Sequence, residues 1–222
     1  MKTCLIVSSI IFIILGQIPS LLASESDWSF KTEKIVYSVD ISLDGSYIAC
    51  GSLDNNFYFL SKDGNLLWKY PSKDRALAVD LTPDGSYIVG GSRDKNIYFF
   101  SKKGDLLWSY PTGNTVESVA VSFDGSKIIA GSDDGKAYFL SNKGNLIWVH
   151  ETNAPITTVG ITPDGKYIVL GSNDQNVYLL SQDGKVIWTT KTIGEVNSVD
   201  ISYDGAYISA GTKNGWIYIV SN

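Results

Sequence analysis

Histidine and cysteine are scarce in this sequence, which limits the chemistry that the chain can carry. The 222 residues include one histidine, His150, and two cysteines, Cys4 and Cys50. A single histidine cannot build a histidine-rich metal site, and Cys50 has no cysteine outside the N-terminal apolar run with which to form a disulfide. A Gly-x-Ser-x-Gly motif and a phosphate-binding glycine loop are also lacking. We therefore expect a protein that is not an enzyme.

An excess of positive charge is lacking too. Lysine and arginine number 18 against 23 aspartate and glutamate, so the formal net charge is −5. Because sequence-independent binding to nucleic acid needs a basic surface, we expect no nucleic-acid partner. With 44% hydrophobic and only 18% charged residues, the chain is typical of a folded domain with a real core.

The one long apolar run lies at the N-terminus. Lys2 precedes an apolar stretch from Leu5 to Leu15, and small residues follow at Ala23 and Ser24. This order is typical of a secretory signal peptide, which we place at residues 1–23. The alternative is an uncleaved signal anchor, which would be the only contact of the protein with a membrane. In both cases we expect an exported protein, in an extracellular, cell-surface or periplasmic location.

The remainder of the chain, residues 24–222, consists of five repeats with a period of 40 residues. An Asp-Gly pair recurs at this interval without insertion or deletion, at 44–45, 84–85, 124–125, 164–165 and 204–205. A tryptophan recurs at the same interval, as Trp28, Trp68, Trp108, Trp148 and Trp188. Such self-similarity indicates a fold made of equivalent, adjacent units.

Each repeat has the pattern of four short strands joined by polar turns. In the first repeat, we predict strands at 37–42, 47–51, 57–60 and 66–70. The glycine of each Asp-Gly pair can adopt the positive φ that a tight hairpin requires. A meander of four strands of about five residues each is typical of a propeller blade. We predict an all-β, five-bladed β-propeller of four-stranded antiparallel blades.

The phase of the repeats predicts how the ring closes. The last repeat ends after its third strand, 216–220, and the missing tryptophan-bearing strand is found instead at 27–31. We therefore predict that this N-terminal strand completes the last blade and closes a monomeric ring. The alternatives are an open arc of five units and one half of a dimeric ring.

Two segments carry a family resemblance. The first half of a repeat, as in Ser-Val-Asp-Ile-Ser-Leu-Asp-Gly-Ser-Tyr-Ile-Ala-Cys-Gly-Ser (38–52), resembles WD-repeat blades. The second half, as in Val-Tyr-Leu-Leu-Ser-Gln-Asp-Gly-Lys-Val-Ile-Trp (177–188), resembles quinoprotein-type (PQQ-like) propeller repeats. The resemblance covers residues 27–222, and it implies a binding scaffold rather than a particular activity.

The tryptophan column is expected to be structural. Each indole can pack against the neighbouring blade, where the glycines of the following turns, Gly64, Gly104, Gly144 and Gly184, leave room for it. The alternative is a ring of aromatic side chains that binds a ligand. The regular spacing in every blade favours packing.

An aspartate column on the first strands is the candidate small-ligand site. It contains Asp40, Asp80 and Asp200, while Ala120 and Gly160 occupy the other two blades. In a closed ring the three carboxylates would lie together on one side of the central channel, where like charges attract a cation or raise a pKa. Our hypothesis is a divalent cation or polar ligand there, with no other cofactor. The alternative is that these side chains face water or bind backbone amides.

The loops at one end of the blades differ between repeats, and they predict how the protein functions. Arg75, Arg93 and Trp216 lie in these loops, and Trp216 replaces a polar residue found in the other repeats. We predict that they bind another protein, because diverse loops on a constant frame suit recognition. Trp216 could instead pack against the closing strand. A lectin, or a glycoside hydrolase that uses Asp40, Asp80 and Asp200, is the alternative function.

Overall fold

The computed structural model describes residues 28–222, and every regular element in that range is a β-strand. The first blade contains β1 (Val36–Ile41), β2 (Tyr47–Ser52), β3 (Asn56–Ser61) and β4 (Leu66–Pro71). The second contains β5 (Ala76–Leu81), β6 (Tyr87–Ser92), β7 (Asn96–Ser101) and β8 (Leu106–Pro111). The third contains β9 (Val116–Val121), β10 (Lys127–Ser132), β11 (Lys136–Ser141) and β12 (Leu146–Glu151).

The fourth blade contains β13 (Ile156–Ile161), β14 (Tyr167–Ser172), β15 (Asn176–Ser181) and β16 (Val186–Lys191). The fifth contains β17 (Val196–Ile201), β18 (Tyr207–Thr212) and β19 (Ile217–Ser221). In every blade, strands that follow each other in sequence pair antiparallel, so each sheet is a simple meander. The predicted all-β class and the repeated antiparallel blades are confirmed. Between residues 28 and 222, no helix has the length and apolar character needed to cross a membrane.

The Asp-Gly turns join the first and second strands as tight hairpins. In the first blade Gly45 has φ 70°, and the Gly45 amide donates to the Ser42 carbonyl over 2.8 Å. Asp44 accepts hydrogen bonds from the Ser46 hydroxyl at 2.7 Å and the Ser46 amide at 2.9 Å. Because hydrogen bonds from Ser46 and Ser42 stabilise the charged form, they lower the pKa of Asp44 to about 2.

The hydrophobic core lies between blades rather than at one centre. Four clusters of buried residues are present, and each is drawn from two consecutive blades. In the cluster between the first two blades, Phe57 and Phe59 face Val79 and Phe100. This arrangement follows from the sequence. Because the second and third strands are apolar on both faces, both faces of each sheet must be buried against neighbouring blades.

The tryptophans fasten each blade to the next. Trp68 stacks on Phe59 of its own blade, with ring centroids 5.2 Å apart, and its Nε1 donates to the Lys102 carbonyl of the next blade over 3.1 Å. A Cβ atom on Gly104 would lie 2.7 Å from Trp68 Cγ, so only glycine leaves space for the ring. Trp28, Trp108 and Trp148 repeat this contact. In the fourth blade, Trp188 Nε1 is buried and has no acceptor among residues 28–222.

The predicted closure of the ring is not present among the described residues. β19 pairs only with β18, and residues 28–30 form no strand. Val39 on β1 is 64% exposed, whereas its equivalents in the other blades, Val79, Val119, Val159 and Val199, are 7–8% exposed. On the last blade Ile217 is 80% exposed, whereas the equivalent Ile97 is fully buried. Over residues 28–222, the five blades therefore form an arc whose two end faces are uncovered.

Candidate functional site

The first strands of all five blades, β1, β5, β9, β13 and β17, line the centre of the arc, which we call the hub. A cavity of about 340 Å³ lies within the hub. Asp40, Asp80 and Asp200 all line it, so the three aspartates of the repeated column share one space. The other residues that line it have apolar side chains or are glycine, with Val39, Val79, Val119, Val121 and Val159 among them.

Two of these carboxylates hold neighbouring blades together. Asp40 Oδ2 accepts the Leu81 amide of the next blade at 2.9 Å, and Asp80 Oδ2 accepts the Val121 amide at 2.7 Å. Burial, followed by the charge of Asp40 and a hydrogen bond with it, raises the pKa of Asp80 well above its usual range. The two carboxyl groups thus form a pair in which Asp80 favours the protonated state.

The third carboxylate is in a different setting. Asp200 is exposed and accepts its own neighbour's amide, that of Ile201, at 2.9 Å. Equivalent positions in the repeat therefore have unequal environments, because within residues 28–222 the first and last blades each have a neighbouring blade on one side only. Within residues 28–222, no group of three or more His, Cys, Asp or Glu side chains is spaced to hold a metal ion. The cation hypothesis thus gains no support from the hub geometry.

A second aspartate column supports the turns between the second and third strands. Asp134 Oδ2 accepts the Tyr138 hydroxyl at 2.6 Å and the Gly113 amide at 2.7 Å, while Oδ1 accepts the Lys136 amide at 3.0 Å. Asp54, Asp94 and Asp174 accept equivalent bonds from Tyr58, Tyr98 and Tyr178. These carboxylates accept hydrogen bonds that stabilise the turns, so they are not free to bind a partner.

The open end of the hub, which we call the mouth, carries most of the variable side chains. It is formed by the loops that lead into the first strands and by the turns between second and third strands. A groove of about 670 Å³ crosses it between the second and third blades, lined by residues that include Arg75, Arg93, Lys95, Glu117 and Asp133. A second groove of about 480 Å³ shares Tyr37, Glu117 and Asp133 with the first and extends to Lys213. The mouth is therefore a continuous, polar depression.

Glu117 and Asp133 were not singled out from the sequence. Burial, with the charge of Asp133 second, raises the pKa of Glu117, and Arg93 partly opposes this shift. Burial, with the charge of Asp134 second, raises the pKa of Asp133. A comparison of the repeats contains the signal that would have found both residues. Two positions of the repeat hold a different residue in each of the five blades. The first position contains Tyr37, Leu77, Glu117, Thr157 and Asn197, and the second contains Leu53, Arg93, Asp133, Asn173 and Lys213.

The structure brings Arg75 and Arg93 together in the mouth groove, but Trp216 does not line it. Trp216 precedes β19 at the same end of the blades, and 53% of it is exposed. It does not pack against Trp28, because Trp28 is docked on the first blade at Lys62 and Gly64. Trp216 is thus an exposed aromatic at the rim, outside the groove.

His150 shows no arrangement for proton transfer. It lies on β12, and its ring packs edge-on against Tyr178 with centroids 5.4 Å apart. Burial lowers the pKa of His150, so the ring stays neutral near pH 7. Its Nε2 has no hydrogen-bond partner within the described chain, which leaves no group to orient it as a base.

Comparison with known families agrees with this geometry. A family model described as "WD domain, G-beta repeat" matches residues 24–59 and 64–101. A second model, described as "Lambda-carrageenase beta-propeller domain", matches residues 119–204. No curated protein matches the sequence. The fold and these two partial matches together support a WD-repeat-like β-propeller. Neither model describes quinoprotein-type repeats, so that part of the resemblance stays a prediction.

Proposed function

We propose that this protein is a non-catalytic scaffold that binds another protein through its mouth. The observation that carries the proposal is the contrast between neighbouring columns of the repeat. At two positions of the repeat that line the mouth, the residue type is different in each of the five blades. At the neighbouring position, directly after Gly51 and its equivalents, the residue is always Ser or Thr. A frame held constant beneath variable side chains is the usual arrangement of a recognition surface. WD repeats as a class support a protein partner.

The proposal is tested by capturing partners from an extract of the source organism with the tagged protein and identifying them by mass spectrometry. We expect a partner that is lost with Arg93→Ala or Trp216→Ala. Lys103→Ala is the matched control, because Lys103 is exposed in the turn between β7 and β8, at the opposite end of the blade. A partner retained by both mouth variants, or lost equally with the control, would contradict the proposal.

We also propose that the arc closes into a monomeric five-bladed ring. Within the arc, the hydroxyl of Ser38 accepts the Val79 amide at 3.2 Å and Asp40 accepts the Leu81 amide at 2.9 Å. The fifth blade carries Ser198 and Asp200 at the same positions, and the equivalent donors are the amides of Val39 and Ile41 on β1. Both halves of this interblade contact are thus present at the two ends.

The position of Trp28 supports the same closure. It docks on Gly64 as Trp68 docks on Gly104, which is where the fourth strand of a preceding blade belongs. Pairing of residues 28–30 with β19 would complete the fifth blade and cover both end faces.

Amide hydrogen exchange tests the closure. A closed ring protects the amides of Val39 and Ile41 as strongly as those of Val79 and Leu81, because all four then donate to a neighbouring blade. Rapid exchange at Val39 and Ile41 would show that the arc stays open. Light scattering of the same sample separates ring closure from pairing of the ends between two molecules, which would double the mass.

Export forms part of the proposal. It depends on residues 1–23, which lie outside the described residues, and on their predicted role as a signal peptide or anchor. We expect the protein in an extracytoplasmic fraction with an N-terminus near Ser24. An intact mass that includes Met1 would favour the anchor, and recovery from the cytosol would contradict export.

Carbohydrate binding is a second candidate function, and one observation favours it. Residues 119–204 match a family model whose description names a carrageenase. A glycan array tests for a lectin, and a hydrolysis assay with wild-type protein and Asp80→Asn tests for catalysis by the Asp40–Asp80 pair. The scaffold proposal expects neither binding nor hydrolysis. Hydrolysis that is lost in the variant would replace it.

A further inference from the structure

The net charge of the mouth groove differs between its two blades. The second blade contributes three cations, Arg75, Arg93 and Lys95, against the single carboxylate of Asp74, whereas the charged residues of the third blade are the carboxylates Glu117 and Asp133. The groove of about 670 Å³ holds both groups, so a bound segment would meet positive charge on one side and negative charge on the other. A polyanion would be repelled by the third blade and a polycation by the second.

The cations of the second blade are largely unpaired. Neither the Arg75 guanidinium nor the Lys95 ammonium makes a hydrogen bond or ion pair with any residue in 28–222. Arg93 Nε lies 3.9 Å from Asp74 Oδ2, and both side chains are about half exposed. Such a pair is at the limit of an ion-pair contact and stabilises the fold little. These donors are therefore available to a ligand.

The carboxylates of the third blade are unpaired as well. Across the described residues, the Glu117 and Asp133 side chains accept no hydrogen bond and take part in no ion pair. Both side chains are half-buried, and desolvating a carboxylate without a partner costs free energy. By contrast, Lys213 and Glu195 on the far side of the mouth are paired at 2.6 Å. The unmet charge is thus concentrated in the groove between the second and third blades.

Resting on the protein-binding function proposed above, we propose that this groove recognises a partner segment with adjacent acidic and basic side chains. The carboxylate of the segment lies against Arg75 and Lys95, and its ammonium or guanidinium group lies against Glu117 and Asp133. Arg93 lines the same groove, and its Nε lies 3.9 Å from Asp74 Oδ2. The pairing satisfies charges that the isolated protein leaves without partners.

Binding of capped peptides of equal length tests the proposal directly. Their central pair is Asp-Lys, Lys-Asp, Asp-Asp, Lys-Lys or Asn-Gln, and their dissociation constants are measured by titration calorimetry at low and high salt. We expect one of the two mixed-charge peptides to bind at least about tenfold more tightly than the Asp-Asp, Lys-Lys and Asn-Gln peptides, a difference of about 1.4 kcal/mol in binding free energy. The preference should shrink at high salt.

Single substitutions test which side of the groove binds the acidic side chain of the peptide and which side binds the basic one. Arg75→Gln should weaken binding of the preferred peptide several-fold by removing the contact with its Asp. Glu117→Gln should weaken the preference of the groove for the preferred mixed-charge peptide over the Asp-Asp peptide, because Asp133 remains as the only unpaired carboxylate facing the basic position. Lys103→Gln, at the opposite end of the second blade, is the control for a general loss of positive charge. Unchanged thermal unfolding of each variant shows that the fold is intact.

The outcomes separate this inference from the proposed function. Failure of every peptide to bind, or equal binding of the Asn-Gln peptide, overturns the inference. If a captured partner still depends on Arg93 or Trp216, the scaffold function survives and only the charge rule is wrong. If no peptide binds and no partner depends on the mouth, both are wrong. Tighter binding of the Lys-Lys peptide would also overturn the inference, since the third blade alone would then select the ligand.

Discussion

At the scale of single residues, the glycine in the turn between third and fourth strands is required for two separate reasons. Gly104 has φ 89°, a conformation that side chains disfavour. A Cβ at this position would also lie 2.7 Å from Trp68 Cγ. Both the backbone and the adjacent indole therefore exclude any larger residue.

Gly104→Ala should lower the free energy of unfolding by about 2–4 kcal/mol, because backbone strain and overpacking add. Gly215→Ala is the matched control. Gly215 has φ 90°, but a Cβ there would meet nothing within 4 Å, so only the strain of about 1–2 kcal/mol is expected. Urea denaturation measures both. Equal losses would mean that the tryptophan contact imposes no constraint.

Asp80 makes stability depend on pH in an unusual direction. Its folded pKa is raised, so between the ordinary carboxyl pKa of about 4 and the raised value the folded state holds a proton that the unfolded state has lost. The free energy of unfolding contributed by Asp80 therefore falls as the pH rises through this window. Ionised carboxylates with lowered pKa values, such as Asp44 and Asp164, contribute the opposite slope at lower pH.

Asp80→Asn should remove the Asp80 contribution and leave that of the turn aspartates. We expect the variant to gain stability relative to wild type as the pH rises above about 4. Thermal or urea unfolding of both proteins at a series of pH values gives the difference directly. A difference that is independent of pH would show that the hub pair does not retain a proton.

At the scale of the element, each blade is held by a link between its second turn and its third strand. In the third blade, the Tyr138 hydroxyl donates to Asp134 at 2.6 Å, and Asp134 in turn accepts the Gly113 amide. Burial, with the hydrogen bond to Asp134 second, raises the pKa of Tyr138, so the hydroxyl remains a donor. In the fifth blade Asn214 replaces the aspartate, and the Tyr218 hydroxyl accepts the Ile193 amide instead at 2.8 Å.

Tyr138→Phe should cost about 1.5–3 kcal/mol of unfolding free energy, the range for a hydrogen bond to a charged group. Tyr203→Phe is the control, because Tyr203 is 72% exposed and the change should stay within about 0.5 kcal/mol. Equal effects of the two substitutions would show that the hydrogen bond between Tyr138 and Asp134 does not stabilise the blade.

At the scale of the whole molecule, the end faces decide whether five blades make a ring. Ile97 and Ile217 occupy the same position in the repeat, but one is fully buried and the other is 80% exposed. Ring closure would bury Ile217 against β1, as Ile97 is buried in the interface between the second and third blades.

Ile97→Ser should cost about 2–5 kcal/mol, as expected for truncating a buried isoleucine. Closure of the ring makes Ile217→Ser costly as well, whereas an open arc leaves it within about 0.5 kcal/mol of wild type. Urea denaturation of the two variants distinguishes these cases. A neutral Ile217→Ser would contradict the proposed ring.

The sequence by itself determined the blade. The 40-residue period, the Asp-Gly turns and the alternation of apolar residues are local features, and local hydrogen bonding turns each of them into a strand or a hairpin. The same period placed Asp40, Asp80 and Asp200 at equivalent positions, and the structure collects all three in one cavity.

Only the tertiary structure decided what those positions do. Asp80 and Asp200 are equivalent in the repeat, yet one has a raised pKa and the other is exposed, because burial depends on whether a blade has a neighbour. The proximity of Arg93, Glu117 and Asp133 likewise comes from packing of two blades, which brings together residues that are far apart in the chain. A repeat specifies its units through short-range contacts, whereas closure and charge pairing depend on how the units meet.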